Sequence, residues 1–465
     1  MVYQKIKNLV LFIMFLVCVY LSSQVWLQLP DFLLYDFEKN DTAIDVVKPD
    51  IDIWKVVKPL KNIIKYKENY TVLYSDDEYD LWGKSVDIIA SGFENYANGS
   101  SDISSLTSVA FPTQYLKFDF TTDIPIEIFT RQMGINNEDL NKNIKNIKNI
   151  IIDLDKRNCI YIYNGADIIK IENDSINTDS IVNIISNVDF NKYTKYLLNE
   201  KIGEEKVQIP VPNELSALNP VFVQSELDVF DTVAINNIAK TYFKSNYEYV
   251  RKVVEVSGNR VYMYRTEKVL KIKAEGLLDF YDSDMEFNNN NNVYDSLMAA
   301  LVFTEDFLGF PKDGYMSNVE NIQYEGNYGY RFVFSYKILD RPILFSRVRE
   351  NAALQIDVVG DRVVSYKRFI RNIDETQKSQ MQNYEILPAV DVINKNLQNN
   401  SDNSGIGELK PLKTEMIKNI SNIYLGYFDL SRISKEQVLR VVWVVEIGDK
   451  SYIFNAITGA LIEEW

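Results

Sequence analysis

The sequence predicts an α+β protein in which a single N-terminal transmembrane helix is followed by mixed domains in series. Three observations predict this class. A long apolar run lies near the N-terminus, glycine-containing turn pairs separate β-rich runs, and helical periodicity occurs between the hairpins. Helices that alternate with antiparallel strands favour serial α+β domains, each with its own antiparallel sheet.

The apolar run covers residues 9–27 and is interrupted only by three polar residues near its end. As a helix it would be about 28 Å long, close to the hydrocarbon thickness of a bilayer. Lys5 and Lys7 precede the run and acidic residues follow it, so the positive-inside rule predicts a cytoplasmic N-terminus. Leu21 stands where a signal-peptidase site needs a small residue. We therefore expect a retained single-pass anchor in the cell membrane, with the bulk of the chain extracytoplasmic.

Within the predicted membrane helix, Cys18 and Ser22 have the small-xxx-small spacing that lets two membrane helices approach closely. Leu11 and Phe15 share that helix face. We predict that these four residues contact a membrane partner. A plain anchor that carries two small residues by chance is the alternative.

The remaining chain divides at composition breaks. Residues 1–8 form a cytoplasmic tail, and the acidic, proline-containing segment 28–60 forms a juxtamembrane stalk. Beyond the stalk, asparagine-rich breaks indicate three α+β domains, at 61–205, 206–380 and 381–465.

Hairpin chemistry defines the predicted strands. The runs 150–154, 159–163 and 166–171 form an antiparallel meander, with Asn164-Gly165 as its second turn. The same kind of turn pair recurs four times between β-rich runs, at Gly258-Asn259, Gly326-Asn327, Gly360-Asp361 and Gly448-Asp449.

Helical periodicity is present at three places between the hairpins: 229–243, 293–308 and 388–397. In the first, Val233, Ile238 and Tyr242 are predicted to share an apolar face with Phe230. Pro388 suits the first turn of the third helix.

Composition excludes most catalytic classes. The chain has no histidine, which removes Ser-His-Asp and Cys-His triads and every histidine-ligated metal. Two cysteines, Cys18 and Cys159, are too few for a disulfide framework or a four-cysteine metal site. With 50 basic and 65 acidic residues, the net charge of −15 argues against nucleic-acid binding. We predict no catalytic, metal or cofactor-binding residue; an anchored enzyme with a carboxylate pair stays open as an alternative.

Three tyrosines near one hairpin are the candidate binding residues of the outer region. Tyr324, Tyr328 and Tyr330 are close enough in sequence to form a platform for a carbohydrate or peptide. Packing across the strands is the alternative interpretation.

Three segments carry a likeness to known proteins: Phe280-Tyr281 after Gly276-Leu277-Leu278; Tyr330-Arg331-Phe332-Val333-Phe334 followed by Asp340-Arg341-Pro342-Ile343; and Val442-Trp443-Val444-Val445 leading to Asn455-Ala456-Ile457-Thr458-Gly459. In these segments, and in the layout of short tail, single membrane helix and large outer portion, the chain resembles the YycH family. The last segment also resembles the strand pair of PepSY-type domains, so residues 381–465 are predicted to be PepSY-like.

The resemblance implies a non-enzymatic regulator of a WalK (YycG) type sensor histidine kinase, which governs cell-wall metabolism in Gram-positive bacteria. It implies action together with a YycI-like single-span protein and contacts with the membrane helices of the kinase. Family members inhibit or activate their kinase depending on the organism, so the sign is left open, as is assembly into a homo-oligomer. The alternative is a membrane-anchored extracytoplasmic binding module that senses a cell-wall fragment, peptide or lipid without a kinase partner.

Overall fold

The computed structural model describes Met14, Val17 and residues 52–465 except the segments 76–77, 97–102, 106–110, 204, 208, 214–217, 284–291, 347–351, 381–383, 399–411 and 431–437. Met14 and Val17 are helical, but the rest of the predicted membrane helix lies outside the described residues, as do the predicted contact residues Leu11, Phe15, Cys18 and Ser22. Across the described segments, no helix combines the length and apolarity needed to cross a bilayer.

The strands follow one another along the whole described chain. The first group is β1 (Lys61–Tyr66), β2 (Asn69–Leu73), β3 (Ile103–Ser105), β4 (Tyr115–Pro125), β5 (Asn146–Asp153), β6 (Cys159–Tyr163), β7 (Asp167–Glu172), β8 (Lys195–Leu197), β9 (Lys201–Ile202), β10 (Glu205–Lys206) and β11 (Val211–Asn213). The second group is β12 (Val221–Ser225), β13 (Arg251–Val254), β14 (Arg260–Tyr264), β15 (Lys268–Ile272), β16 (Leu278–Asp282), β17 (Tyr315–Tyr324), β18 (Asn327–Ser335), β19 (Lys337–Ile338), β20 (Arg341–Phe345), β21 (Leu354–Val359), β22 (Arg362–Arg368) and β23 (Arg371–Ile373). The last group is β24 (Leu397–Gln398), β25 (Leu412–Lys413), β26 (Ile420–Asp429), β27 (Val438–Ile447), β28 (Lys450–Asn455) and β29 (Leu461–Glu464).

The α-helices lie between these strands: α1 (Leu81–Glu94), α2 (Ile126–Gln132), α3 (Glu138–Asn143), α4 (Asp179–Ser186), α5 (Thr232–Phe243), α6 (Val293–Phe307) and α7 (Ala389–Lys395). The α+β class predicted from the sequence is therefore confirmed. The three predicted helices are confirmed as α5, α6 and α7, while α1 to α4 were not predicted.

The N-terminal sheet has nine strands in the order β11-β8-β2-β1-β4-β5-β6-β7-β3. Its pairs are antiparallel, and the predicted meander is confirmed as β5-β6-β7. One face of the sheet is apolar and packs on α1, where the Trp82 ring lies 5.1 Å from that of Phe118 and 5.5 Å from that of Phe120. Because side chains alternate along a strand, the odd-numbered residues of β4 point to the opposite face.

The middle sheet has eight antiparallel strands in the order β13-β14-β15-β16-β22-β21-β18-β17. The hairpins predicted at Gly258, Gly326 and Gly360 are confirmed as β13-β14, β17-β18 and β21-β22. Helices α5 and α6 pack against this sheet through aromatic rings, including Phe280 stacked on Phe303.

The apolar face predicted for α5 is partly wrong. Phe230 and Val233 are 80% and 69% exposed, whereas Ile235, Ala239 and Phe243 are buried. Asp231 caps the helix by accepting hydrogen bonds from the backbone of its first turn. The cap starts the helix after Phe230, so that residue lies outside the helix and does not share its buried face.

The C-terminal sheet joins distant parts of the chain. Strands β19, β20, β12 and β23 assemble with β26 to β29, and the hairpin predicted at Gly448 is confirmed as β27-β28. Strand β20 pairs in parallel with β26. Four strands that precede residue 381 thus belong to the same sheet as β26 to β29, and residues Ile51–Trp465 form one compact unit. The three predicted domain ranges stay predictions.

Candidate functional site

A cavity of about 550 Å³ lies between the odd-numbered face of the N-terminal sheet and the β26-β27 hairpin. We call it the central cavity and define it by six of its lining residues: Lys61, Lys117, Asp119, Asn149, Tyr196 and Tyr424. Its volume lies within the range of pockets that hold small organic ligands.

Strand register places the polar residues of the sheet side by side. Lys61 on β1 lies opposite Asp119 on β4, and Asp119 lies opposite Asn149 on β5. Lys117 is two residues before Asp119 and therefore shares its face. Directly opposed residues on neighbouring strands have Cβ atoms about 5 Å apart, within reach of ion pairs and hydrogen bonds.

Lys61 and Asp119 form the ion pair at the base of the cavity, with Nζ 3.2 Å from Oδ2. Asn149 Nδ2 donates to the other carboxylate oxygen at 2.8 Å, and Lys61 also donates to Asn422 Oδ1 on β26 at 3.3 Å. Lys61 therefore joins the N-terminal and C-terminal sheets.

The charges in this pair stabilise each other against burial. Burial alone would lower the pKa of Lys61, but the carboxylates of Asp119 and Glu446 hold it above its ordinary value. Burial would raise the pKa of Asp119, but the ammonium groups of Lys61 and Lys117 hold it below its ordinary value. Both side chains are therefore ionised at neutral pH.

Lys117 differs from Lys61. Burial lowers the pKa of Lys117, and the positive charges of Lys61 and Lys148 lower it further, against the opposing effect of Asp119. Among the residues described by the structure, no carboxylate lies within ion-pair distance of its amine. The cavity thus contains an amine whose charge is only partly compensated.

Tyrosines form the other polar part of the wall. The hydroxyls of Tyr74 and Tyr196 are hydrogen-bonded, and that of Tyr424 is hydrogen-bonded to Glu446. The rings of Tyr70 and Tyr196 lie 5.9 Å apart at an angle of 48°. Burial raises the pKa of each of these tyrosines above its ordinary value, so the hydroxyls remain protonated.

This combination suits binding better than proton transfer. A general acid or base works best with a pKa near the working pH. The pKa of Asp119 lies below that range, and those of Lys61 and the tyrosines lie above it, whereas the pKa of Lys117 is lowered toward it. The cavity therefore offers fixed charges, hydroxyl groups and ring faces to a ligand.

The tyrosine platform predicted at the β17-β18 hairpin does not form. Gln323 lies opposite Tyr328, and Tyr324 lies opposite Asn327, so Tyr324 and Tyr328 point to opposite faces of the hairpin. Tyr330 instead stacks on the buried Phe332 at a centroid distance of 6.2 Å. Tyr330 therefore packs along its own strand, β18, rather than contributing to an exposed platform.

Cys159, the cysteine outside the predicted membrane helix, is a core residue. Its side chain is buried, and burial raises the pKa of its thiol to about 11, which leaves it unreactive. Within the described ranges, no three His, Cys, Asp or Glu side chains are grouped so that they could hold a metal ion.

The sequence reasoning missed the central cavity, although β4 carries a signal for it. Lys117, Asp119 and Thr121 alternate with the buried Leu116, Phe118 and Phe120. Such alternation indicates one apolar and one polar face. It does not reveal that a second sheet covers the polar face.

Comparison with solved structures identifies the architecture. The crystal structure of YycH from Bacillus subtilis matches this chain with a TM-score of 0.53 and 14% sequence identity, over 87% of this chain and 97% of that chain. This chain has the YycH fold. The resemblance inferred from the sequence is thus confirmed at the level of the fold. No family model matches the chain, and no curated protein matches it in sequence.

Proposed function

We propose that this chain is a non-enzymatic, membrane-anchored regulator of a WalK/YycG-type sensor histidine kinase that controls cell-wall metabolism. The observation that supports the proposal is the YycH fold, which extends over 87% of the chain. The family segments near residues 276, 330 and 442 support it independently of the fold comparison.

In this proposal the anchor at 9–27 spans the cell membrane once, with the N-terminus cytoplasmic. The face formed by Leu11, Phe15, Cys18 and Ser22 contacts the membrane helices of the kinase or of a YycI-like single-span protein. A single helix can shift a two-state kinase only if it binds the two states with different free energies, and a useful coupling is about 1–3 kcal/mol.

In-membrane crosslinking tests the partner. A photoreactive residue at position 18 or 22 in the native host is expected to capture a sensor kinase or a second single-span protein. Position 13 lies on the opposite side of the predicted helix and provides the matched control, because a face-specific contact yields little crosslinking from it. Equal capture from position 13, or capture of lipid alone by the uncleaved protein, would contradict the proposal.

A functional test uses the same face. The paired substitutions Cys18→Leu and Ser22→Leu are expected to disturb kinase signalling at an unchanged membrane level of the protein, because larger side chains prevent close helix approach. Unaltered signalling at equal abundance counts against a role for this face.

A second candidate function, the extracytoplasmic binding module without a kinase partner, is favoured by the central cavity. Gene neighbourhood separates the two. Adjacent genes for a response regulator, a kinase and a second single-span protein favour the regulator, whereas their absence favours the binding module.

A further inference from the structure

The central cavity has an excess of positive charge in a strongly acidic protein. Its wall carries three lysines, Lys61, Lys117 and Lys148, and two acids, Asp119 and Glu446, which leaves a surplus of one positive charge. The chain as a whole has a net charge of −15. A recessed site whose charge opposes that of the surrounding protein concentrates anions.

The surplus is located at Lys117. Lys61 is committed to Asp119 at 3.2 Å, and Lys148 lies at the exposed rim. Lys117 is half-buried in the cavity wall without an ion pair among the described side chains. A recessed amine without a counterion costs stability, and a residue that costs stability is characteristic of a binding or catalytic site.

The rest of the wall suits the uncharged part of a small polar ligand. Tyr70, Tyr74, Tyr163, Tyr196 and Tyr424 all line the cavity. Tyrosine rings offer flat apolar surface, and their hydroxyls donate or accept hydrogen bonds. Such walls bind sugar rings and peptide groups.

We propose that the central cavity binds a small organic carboxylate, of the size of a sugar acid or a dipeptide, with the carboxylate on Lys117 and the remainder of the ligand against the tyrosines. A single negative charge matches the single surplus positive charge. A dianionic phosphate would add repulsion from the nearby Asp119 and Glu446. This inference goes beyond the proposed function, because it concerns what the outer region recognises.

The test uses the full-length chain in lipid nanodiscs and two sugars that differ by one carboxylate. N-acetylmuramic acid carries a lactyl carboxylate that N-acetylglucosamine lacks, so calorimetric titration with both isolates the contribution of the charge. We expect N-acetylmuramic acid to bind more tightly. Lys117→Met is expected to weaken its binding about tenfold or more, as removal of a charge-assisted hydrogen bond does. Lys117→Arg should restore part of the affinity.

Lys142→Met is the matched control, because Lys142 is an exposed lysine on α3 that pairs with Glu138 away from the cavity wall. It should bind N-acetylmuramic acid like the unsubstituted chain. The proposal is overturned if the two sugars bind equally, if neither sugar binds, or if Lys117→Met leaves the affinity for N-acetylmuramic acid unchanged. It is also overturned if glycerol 3-phosphate binds more tightly than N-acetylmuramic acid. No kinase is present in this experiment, so its failure and the failure of the proposed kinase regulation are distinguishable.

Discussion

The buried ion pair between Arg371 and Asp429 provides the most direct test of how the C-terminal sheet is held together. Arg371 Nε lies 3.2 Å from Asp429 Oδ2, and the two side chains are 1% and 0% exposed. The guanidinium also lies 4.4 Å from the centre of the Phe369 ring. The pair connects β23 to the end of β26, which are 58 residues apart in sequence.

The distance sets the size of the effect. At 3.2 Å and an effective dielectric constant of about 20, the Coulomb attraction is roughly 5 kcal/mol. Desolvation opposes it, so the pair as a whole adds little stability. Arg371→Met, however, leaves the Asp429 carboxylate buried without its counterion. We expect this substitution to reduce the free energy of unfolding by about 3–5 kcal/mol.

Denaturant unfolding followed by tryptophan fluorescence measures the loss, since Trp443 is fully buried in the same sheet. The double variant Arg371→Met, Asp429→Val removes both charges and should recover most of the lost stability. Equal losses in the single and double variants would show that the uncompensated charge is not the cause, and would refute this reasoning.

Three further predictions concern the backbone, the cavity and the core. Gly276 and Gly258 share a φ of +88°, but a Cβ at 276 would lie 1.7 Å from Ser225 Oγ, while a Cβ at 258 would meet only Ala274 Cβ at an ordinary 3.7 Å. Gly258→Ala should therefore cost about 1 kcal/mol of unfolding free energy and Gly276→Ala clearly more; equal costs would contradict the predicted clash. Lys117→Met should stabilise the protein at pH 7, because the lowered pKa of Lys117 means that its recessed charge opposes folding. The folded protein loses this charge as the pH rises through the lowered pKa of Lys117, so the destabilisation fades as the pH approaches the ordinary value of 10.5. The stabilisation by Lys117→Met, measured by denaturation, should therefore be smaller at pH 10 than at pH 7. A stabilisation that grew with pH would contradict this prediction. Trp443→Phe should cost about 1–3 kcal/mol in thermal or denaturant unfolding, since the indole donates a 2.8 Å hydrogen bond to the backbone carbonyl of Leu387; a neutral result would show that this bond contributes nothing.

The local features of the fold could be predicted because they depend on neighbouring residues. Each glycine-containing turn pair joins two strands only a few residues apart, so turn conformation and strand alternation suffice to predict the hairpin. All five predicted hairpins are present. The absence of histidine likewise limits the chemistry of the chain whatever its fold.

Helix prediction was incomplete, because it found α5, α6 and α7 but missed α1 to α4. Helix α1 contains Gly83 and Gly92, which lower its intrinsic helix propensity, and it is stabilised by the burial of Trp82, Ile89 and Phe93 against the N-terminal sheet. In α5, periodicity predicted a helix, but the cap at Asp231 decided where it begins. Helix ends and buried faces depend on contacts that periodicity does not contain.

By itself, the sequence determined the α+β class, the hairpins and the likeness to the YycH family, because turn chemistry, alternation and local motifs act over short stretches of chain. Only the tertiary structure decided the order of the strands and the central cavity. Lys61 meets Asp119 across two strands that are not consecutive, and its other partner, Asn422, is 361 residues away. Strand order results from the burial of whole sheet faces against helices and other sheets, and that burial depends on the entire chain.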